Sequence, residues 1–215
     1  MNEYAGTKLD LIIAAGELFA DNGVEGTSVR AIAERCNANI AAINYHFGSK
    51  ENLYTEVLRY VMTQTHCSLA RELLKDETWF ATPEKSAVAI RMLIKERFSH
   101  YLSTDRPSWF GRLLMLSLVY PTTSLEIVTR QMMAPENEAL TRLIQRCKAG
   151  LSAEQAQFWA FSLVGQIAFY VFAEAGILVA LDRSAYDEAF LGKAEKHIGD
   201  LMLTALGLPL TDLIV

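Results

Sequence analysis

The sequence predicts an all-α protein with an N-terminal three-helix helix-turn-helix domain and a larger C-terminal helical domain, about nine to ten helices in all. Apolar residues make up 51% of the 215 residues, while glycine and proline number only 12 and 5, a composition typical of helical proteins. Apolar residues recur at intervals of three and four, and no convincing run alternates apolar and polar residues as strands do. We place the domain boundary after residue 52, which gives domains of residues 1–52 and 53–215.

The helices follow from capping residues and apolar stripes. The first is predicted from about Thr7 to Asn22, with Gly23 as its terminator. Pro135 is expected to interrupt or kink a helix, because proline lacks a backbone N–H. The helices after the helix-turn-helix are predicted at residues 50–75, 83–104, 107–120, 122–133, 136–149, 152–181 and 184–206.

The segment 27–50 predicts the helix-turn-helix itself. Its first helix carries an apolar stripe at Val29, Ile32, Ala33 and Cys36, after a hydroxyl residue suited to the N-cap. The turn contains Asn37, a residue type that tolerates left-handed backbone angles. The second helix, from Ile40 to about His46, is too short to be stable alone, so its neighbours must hold it. Its outward side chains are then free to contact another molecule.

Charge and chemistry-bearing residues narrow the function. The formal net charge is −5, and residues 1–54 carry four cations against seven acids. Within residues 27–50 the balance is +2, so modest non-specific DNA affinity is expected. Cys36, Cys67 and Cys147 lack metal-site spacing and are expected to be buried or partly buried thiols, with a redox role left open. No nucleotide, hydrolase or zinc-enzyme motif occurs, so we expect no enzyme activity, no metal and no cofactor.

The spaced residues T-S-V-R-A-I-A and N-Y-H-F-G-S-K-E-N-L-Y resemble the DNA-binding end of the TetR family of bacterial transcriptional regulators. The resemblance covers roughly residues 8–57 and is most similar to the branch with a CerR-type C-terminal region. One departure is Asn37, where family members usually have glycine. The resemblance implies a cytoplasmic homodimer that binds a near-palindromic operator, acts as a repressor and is released by a small-molecule inducer.

The same resemblance implies a DNA-contacting surface, and the residue chemistry agrees. Arg30 can donate to guanine, Asn44 can pair with adenine, and small apolar side chains suit thymine methyl groups. Tyr45, His46 and Lys50, together with Thr27 or Ser28, are expected at phosphates, which position the protein without specifying sequence. The predicted interface consists of Thr27, Ser28, Arg30, Asn39, Ile40, Ala41, Ala42, Asn44, Tyr45, His46 and Lys50.

Each of these assignments has an ordinary structural alternative. Arg30 is four residues from Glu34 and could form a surface ion pair with it. His46 could end its helix with a hydrogen bond inside the domain, and Asn44 could be a solvated surface residue.

The C-terminal domain is expected to hold the inducer and to form the dimer. A small hydrophobic or aromatic ligand is expected, because the candidate residues are rich in aromatic side chains. The few polar groups among them are typical of a ligand pocket. For any single residue, ordinary core packing is the competing interpretation. The predicted ligand contacts are Met92, Phe98, Trp109, Phe110, Arg112, Met115, Gln166, Tyr170 and Glu174.

Residues 155–173 form an uncharged, aromatic-rich stretch with two interpretations. The length alone would suit a membrane span, but nearby Gln and Glu residues and the absence of a flanking basic cluster argue against it. We therefore expect no membrane association and assign the stretch to a four-helix dimer interface with the last helix. A membrane-associated or small-molecule-binding protein without a DNA role remains the alternative. The predicted interface consists of Phe158, Phe161, Gly165, Phe169, Phe172, Ile198 and Leu201.

Overall fold

The structure is a computed structural model that describes residues 4–102 and 106–212. The regular secondary structure in these residues consists of helices, without a strand, which confirms the predicted all-α class. The helices form two compact units: unit 1 contains Met1–Thr65 and Arg106–Met132, and unit 2 contains His66–Asp105 and Met133–Val215. These units do not coincide with the predicted domains, because two helices from the middle of the chain pack with the N-terminal ones.

Unit 1 is built around the helix-turn-helix. Phe19, Ile32, Ile43 and Leu53 each come from a different helix, and all four are almost completely buried in one core. The helices of unit 1 are α1 (Thr7–Asn22), α2 (Val29–Arg35), α3 (Ile40–Phe47), α4 (Lys50–Gln64), α7 (Trp109–Val119) and α8 (Thr123–Val128).

A close contact joins α1 to α7 inside unit 1. Trp109 is 4% exposed, and its indole lies directly over Gly16 in the middle of α1. A Cβ atom at position 16 would lie 2.3 Å from the indole ring, closer than any real Cβ contact. Glycine is therefore required here to let the two helices approach, although it lowers the intrinsic stability of α1.

Unit 2 has its own hydrophobic core. Leu93, Leu140, Leu163 and Ile198, one from each of four long helices, are buried together there. The α-helices of unit 2 are α5 (Leu69–Leu73), α6 (Pro83–Tyr101), α9 (Ala134–Cys147), α10 (Ala153–Phe172), α11 (Glu174–Ala180) and α12 (Glu188–Leu206), with a 3₁₀ turn at Glu77–Phe80. The predicted segment at residues 103 and 104 lies outside the described residues.

Two predicted helices are divided, so the described part of the chain has twelve α-helices. The helix predicted at residues 50–75 ends at Gln64, and α5 follows separately. The N–H groups of Ser68 and Leu69 donate to the Glu96 carboxylate, and His66 Nδ1 contacts the buried Glu136 carboxylate. These acids come from α6 and α9 and stabilise a chain path that local sequence does not favour.

The second division separates α10 from α11 at Ala173, where the axes bend by 68°. Among the described helices, none alone is long and apolar enough to cross a membrane, and α10 and α11 reach that limit only when taken together.

The predicted interruption at Pro135 takes the form of a π-helical turn, Thr129–Met133, just before α9. Proline cannot donate the helical hydrogen bond to the carbonyl of residue 131, and a wider turn accommodates this loss.

Candidate nucleic-acid interface

The helix-turn-helix is fixed by local capping. The Ser28 hydroxyl accepts from Ala31 N–H at 3.1 Å, and the Asn39 carboxamide accepts from Ala41 N–H at 2.8 Å. Asn37 adopts φ 53°, the left-handed conformation predicted for the turn. Gly48, with φ 78°, ends α3, and the Ser49 hydroxyl caps α4 through Asn52 N–H. These contacts explain why two helices of only seven and eight residues persist here.

The helix α3 has one buried face and one exposed face. Ile43 is fully buried and Phe47 is 7% exposed, so these two side chains attach α3 to the core of unit 1. Ile40 is 41% exposed and Tyr45 is 84% exposed, so both of these large side chains face solvent. The remaining outward residues are the exposed Asn39, Ala41, Asn44 and His46 and the half-buried Ala42.

Arg30 forms an ion pair with Glu34 at the edge of this surface, the structural alternative to its predicted base contact. Its Nε donates to Glu34 at 2.8 Å, and both side chains are more than half exposed. The hydrogen bond to Glu34 raises the pKa of Arg30, so the guanidinium stays charged. Because exposed pairs contribute little stability, Arg30 can exchange Glu34 for another acceptor at low cost.

Thr27 does not belong to the exposed surface, which corrects its predicted contact with phosphate. Its side chain is 3% exposed, and its hydroxyl lies 2.8 Å from the Gly23 carbonyl and 3.1 Å from the Leu18 carbonyl. Thr27 therefore joins the end of α1 to the start of α2. Ser28, in contrast, is exposed beside α2.

Lys50 also has a different role from the predicted phosphate contact. Its ammonium donates to the Val24 carbonyl at 2.9 Å and to the Thr27 carbonyl at 3.3 Å. These bonds hold the loop between α1 and α2 against the first turn of α4. The ammonium is thus used inside unit 1.

Replacing Lys50 with methionine should lower the free energy of unfolding by about 1–3 kcal/mol, because two loop carbonyls lose their charged donor. Chemical denaturation would measure the loss. At salt concentrations where the variant is folded, the salt dependence of its DNA binding should equal that of the wild type. Unchanged stability together with a salt slope lower by about one would restore the phosphate role.

The structure divides the predicted ligand contacts between the two units. Trp109 and Phe110 are buried in unit 1, where Phe110 also contacts Tyr60 edge to face. Arg112 donates to Asp21 at 2.9 Å, and Met115 is exposed on the outer side of α7. Trp109 and Phe110 are thus corrected from ligand contacts to parts of the core of unit 1, whereas a ligand contact of the exposed Arg112 and Met115 stays a prediction.

The other predicted ligand contacts lie in unit 2. Phe98 is buried and its ring centroid lies 6.2 Å from that of Tyr170. The Tyr186 hydroxyl donates to the Tyr170 carbonyl at 3.0 Å, and burial raises the pKa of Tyr186 to about 12. Gln166 Nε2 lies 3.9 Å from the sulfur of a core methionine. Met92 is half-buried and Glu174 is exposed.

The predicted dimer residues mostly form an exposed face. Phe158, Phe161 and Phe169 are 62%, 53% and 60% exposed on α10, and Leu201 on α12 is 48% exposed. Gly165 is also exposed and Phe172 is half-buried. Ile198 is 2% exposed and belongs to the core of unit 2, so its assignment to a dimer interface is corrected.

Sequence reasoning missed a cluster in unit 2 that joins the buried Glu136 carboxyl group to His66, near Arg97. Glu136 is 8% exposed and contacts His66 Nδ1, and burial raises the pKa of this carboxyl group against the opposing influence of His66 and Arg97. No spacing in the sequence connects these residues.

The three cysteines are buried or half-buried thiols as expected, and burial raises the pKa of Cys147 to about 12. In residues 4–102 and 106–212, no group of three potential metal ligands was found.

Two family profiles match the chain. Residues 11–57 match the profile described as bacterial regulatory proteins, tetR family, and residues 87–207 match the C-terminal domain of the HTH-type transcriptional dual regulator CecR. The CecR regulator of Shigella flexneri is 30% identical over 186 residues, which cover 84% of this chain and 82% of that protein. The C-terminal region that the sequence analysis calls CerR-type thus matches the CecR C-terminal domain.

Solved structures show the same fold. Mycobacterium smegmatis AmtR has a TM-score of 0.67 at 20% identity, covering 98% of this chain and 90% of that chain. FadR from Bacillus subtilis, solved in complex with stearoyl-CoA, has a TM-score of 0.64 at 19% identity, covering 91% and 97%. The tetR family profile covers residues 11–57, which include α2 and α3 of this chain. The chain therefore belongs to the TetR family of transcriptional regulators, in the branch with a CecR-type C-terminal domain.

Proposed function

We propose that the protein is a homodimeric repressor that binds a near-palindromic operator through the outward face of α3. The observation that carries the proposal is the exposure of this face, where Ile40 and Tyr45 are solvated although Ile43 and Phe47 hold the helix rigidly. A rigid short helix with exposed amide, apolar and aromatic groups is suited to the major groove.

Base readout in this proposal uses side chains of three kinds. Asn44 pairs with adenine, Arg30 leaves Glu34 to donate to guanine, and Ile40 with Ala41 and Ala42 contacts thymine methyl groups. Ser28, Asn39, Tyr45 and His46 surround these residues and contact the backbone, which sets the register.

Replacing Asn44 with alanine should relax specificity at one base position in each half-site, because the bidentate contact to adenine is lost. The expected loss of discrimination is about 1–3 kcal/mol. Competition binding with operators substituted at each position would measure it. Glu34→Gln is the matched control on α2: it frees Arg30 without removing a base contact, so specificity at the adenine position should be retained. The assignment would be contradicted if Asn44→Ala discriminated among the substituted operators as strongly as the wild-type protein does at every position.

The dimer proposal rests on the exposed face of α10. Phe158, Phe161 and Phe169 stand on one side of a single helix, and Leu201 is exposed on α12. Large aromatic side chains grouped in this way are typical of protein interfaces. Two copies would bury them in an isologous contact and present two α3 helices to successive major grooves, about 34 Å apart.

We also propose that unit 2 binds a small hydrophobic or aromatic inducer. FadR of B. subtilis was solved with stearoyl-CoA, which supports a ligand with a substantial apolar part for a protein of this fold. Met92, Phe98, Gln166, Tyr170 and Glu174 remain the candidate contacts. The ligand would release DNA by binding more tightly to a dimer conformation that does not fit the operator. Acting on chromosomal DNA, the protein would work in the cytoplasm.

Selection from random DNA with the purified full chain tests the proposal. A palindrome should be enriched, with a half-site rich in thymine. Recovery of no consensus sequence would contradict the regulator function. A consensus without symmetry would contradict the dimeric mode of binding.

A further inference from the structure

A polar groove of about 430 Å³ lies in unit 1 next to the end of α3. Lys8 from α1, His46 from α3, and Asn52, Glu56 and Arg59 from α4 line it. We refer to these five residues as the Glu56 groove. The groove borders the proposed DNA-reading face through His46, but Lys8 and Arg59 lie outside the helix-turn-helix.

Two cations share one carboxylate in this groove. Arg59 Nη1 donates to Glu56 Oε1 at 2.5 Å, and Arg59 Nη2 donates to Gln131 at 2.9 Å. Lys8 Nζ lies 4.0 Å from Glu56 Oε2, which is too far for a hydrogen bond. The three charged side chains are between 20% and 33% exposed, so they are partly shielded from water yet accessible.

The other ion pairs described in unit 1 are one to one. Four other arginines in the described part of unit 1 each have their own carboxylate, as follows: Arg30 with Glu34, Arg35 with Glu17, Arg112 with Asp21, and Arg130 with Glu126. Lys50 is bound by carbonyls. The Glu56 groove thus holds two cations against one carboxylate, an excess of positive charge that these four arginine pairs lack. An anion that enters the groove gains from this excess, and partial burial strengthens the interaction.

We propose that the Glu56 groove binds a phosphate group. Lys8 and Arg59 donate to the phosphate oxygens from two sides, His46 supplies a third donor, and Glu56 holds the two cations in place until the anion arrives. Arginine and lysine are the residues that bind phosphate in proteins through charge-assisted hydrogen bonds. The phosphate belongs either to the operator backbone or to a small phosphorylated molecule. If the phosphate belongs to the operator backbone, the inference rests on the proposed function. If it belongs to a small phosphorylated molecule, the inference is independent of that function.

The first arm of the test measures DNA binding of the full chain at several salt concentrations. Lys8→Gln and Arg59→Gln should each lower the slope of log affinity against log salt by about 0.9 on selected operator and on random DNA alike. Arg130→Gln is the matched control, because it removes the same charge from an exposed one-to-one pair in unit 1, and its slope should equal that of the wild type. Glu56→Gln should raise affinity severalfold, an effect that misfolding cannot produce.

The second arm titrates inorganic phosphate into the DNA-free protein at constant ionic strength, with the His46 imidazole and the Arg59 Nε–H followed by NMR. Phosphate should shift both signals, and Arg59→Gln should abolish the shift at His46. Altered DNA slopes identify the operator backbone as the source. A phosphate shift with unaltered DNA slopes identifies a small phosphorylated molecule. The proposal is overturned if both arms fail. It is also overturned if Arg130→Gln lowers the salt slope as much as Arg59→Gln does, or if Glu56→Gln binds DNA more weakly than the wild type. The second arm stands even when no operator can be selected.

Discussion

Replacing Phe161 with glutamate should convert the proposed homodimer into a monomer and reduce operator affinity by at least about 100-fold. Phe161 is 53% exposed at the centre of the α10 face, between Phe158 and Phe169. A glutamate there would be buried against its symmetry mate without a partner, and the like charges would repel. Central aromatic residues of interfaces typically contribute about 2 kcal/mol or more each, before any repulsion is counted.

The loss of DNA binding follows from the loss of the second half-site. A dimer binds its second half-site as an intramolecular event, which raises affinity by about 10²–10⁴-fold over one half-site alone. The helix-turn-helix carries only a small positive excess, so one copy has little non-specific affinity to compensate. A monomeric variant should therefore keep a folded α3 and still bind poorly.

Analytical ultracentrifugation and operator titration would measure the two effects on the same sample. Tyr120→Glu is the matched control, since it places the same charge at an aromatic side chain that is 70% exposed in unit 1. It should remain dimeric and bind the operator. A dimeric Phe161→Glu protein, or equal dissociation of both variants, would contradict the placement of the interface on α10.

The elements that depend on short-range contacts could be predicted from the sequence. The hydroxyl residue that the sequence predicts as the cap of α2 is Ser28, and Asn39 caps α3 in the same way, because a cap needs only the next two or three residues. Asn37 occupies the left-handed turn for a similar reason. The buried residues Ile43 and Phe47 lie four positions apart, the spacing that places two side chains on one face of a helix.

The roles that depend on distant partners could not be predicted. Lys50 binds carbonyls some 25 residues away, and nothing in the spacing distinguishes such a lysine from one that faces phosphate. Ile198 shares the apolar pattern of α12 with Leu201, but packing decides which of them is buried in the chain and which is exposed. The sequence favours Trp109 as a ligand contact because aromatic residues line pockets, whereas its position over Gly16 is a property of the folded unit.

Replacing Trp109 with alanine should lower the free energy of unfolding of unit 1 by about 3–5 kcal/mol, the usual cost of deleting a large buried aromatic side chain. Trp109 is 4% exposed and also contacts the Phe110 ring, with centroids 4.4 Å apart. Typical domains are stable by only about 5–15 kcal/mol, so DNA binding should weaken steeply on mild heating. Met115→Ala, at an exposed site on the same helix, should change stability by less than about 0.5 kcal/mol.

A double-mutant cycle with Gly16 separates the packing role from a ligand-contact role. Gly16→Ala alone should destabilise by about 1–3 kcal/mol, because its Cβ overlaps the indole. In the Trp109→Ala background the overlap is gone, and the same substitution should stabilise by about 0.5–1 kcal/mol, since alanine favours the helix over glycine. This change of sign gives a coupling energy of about 1.5–4 kcal/mol in urea denaturation, within or near the range expected for residues in contact. Additive effects, or a Trp109→Ala protein of normal stability with altered inducer affinity, would instead return Trp109 to the ligand site.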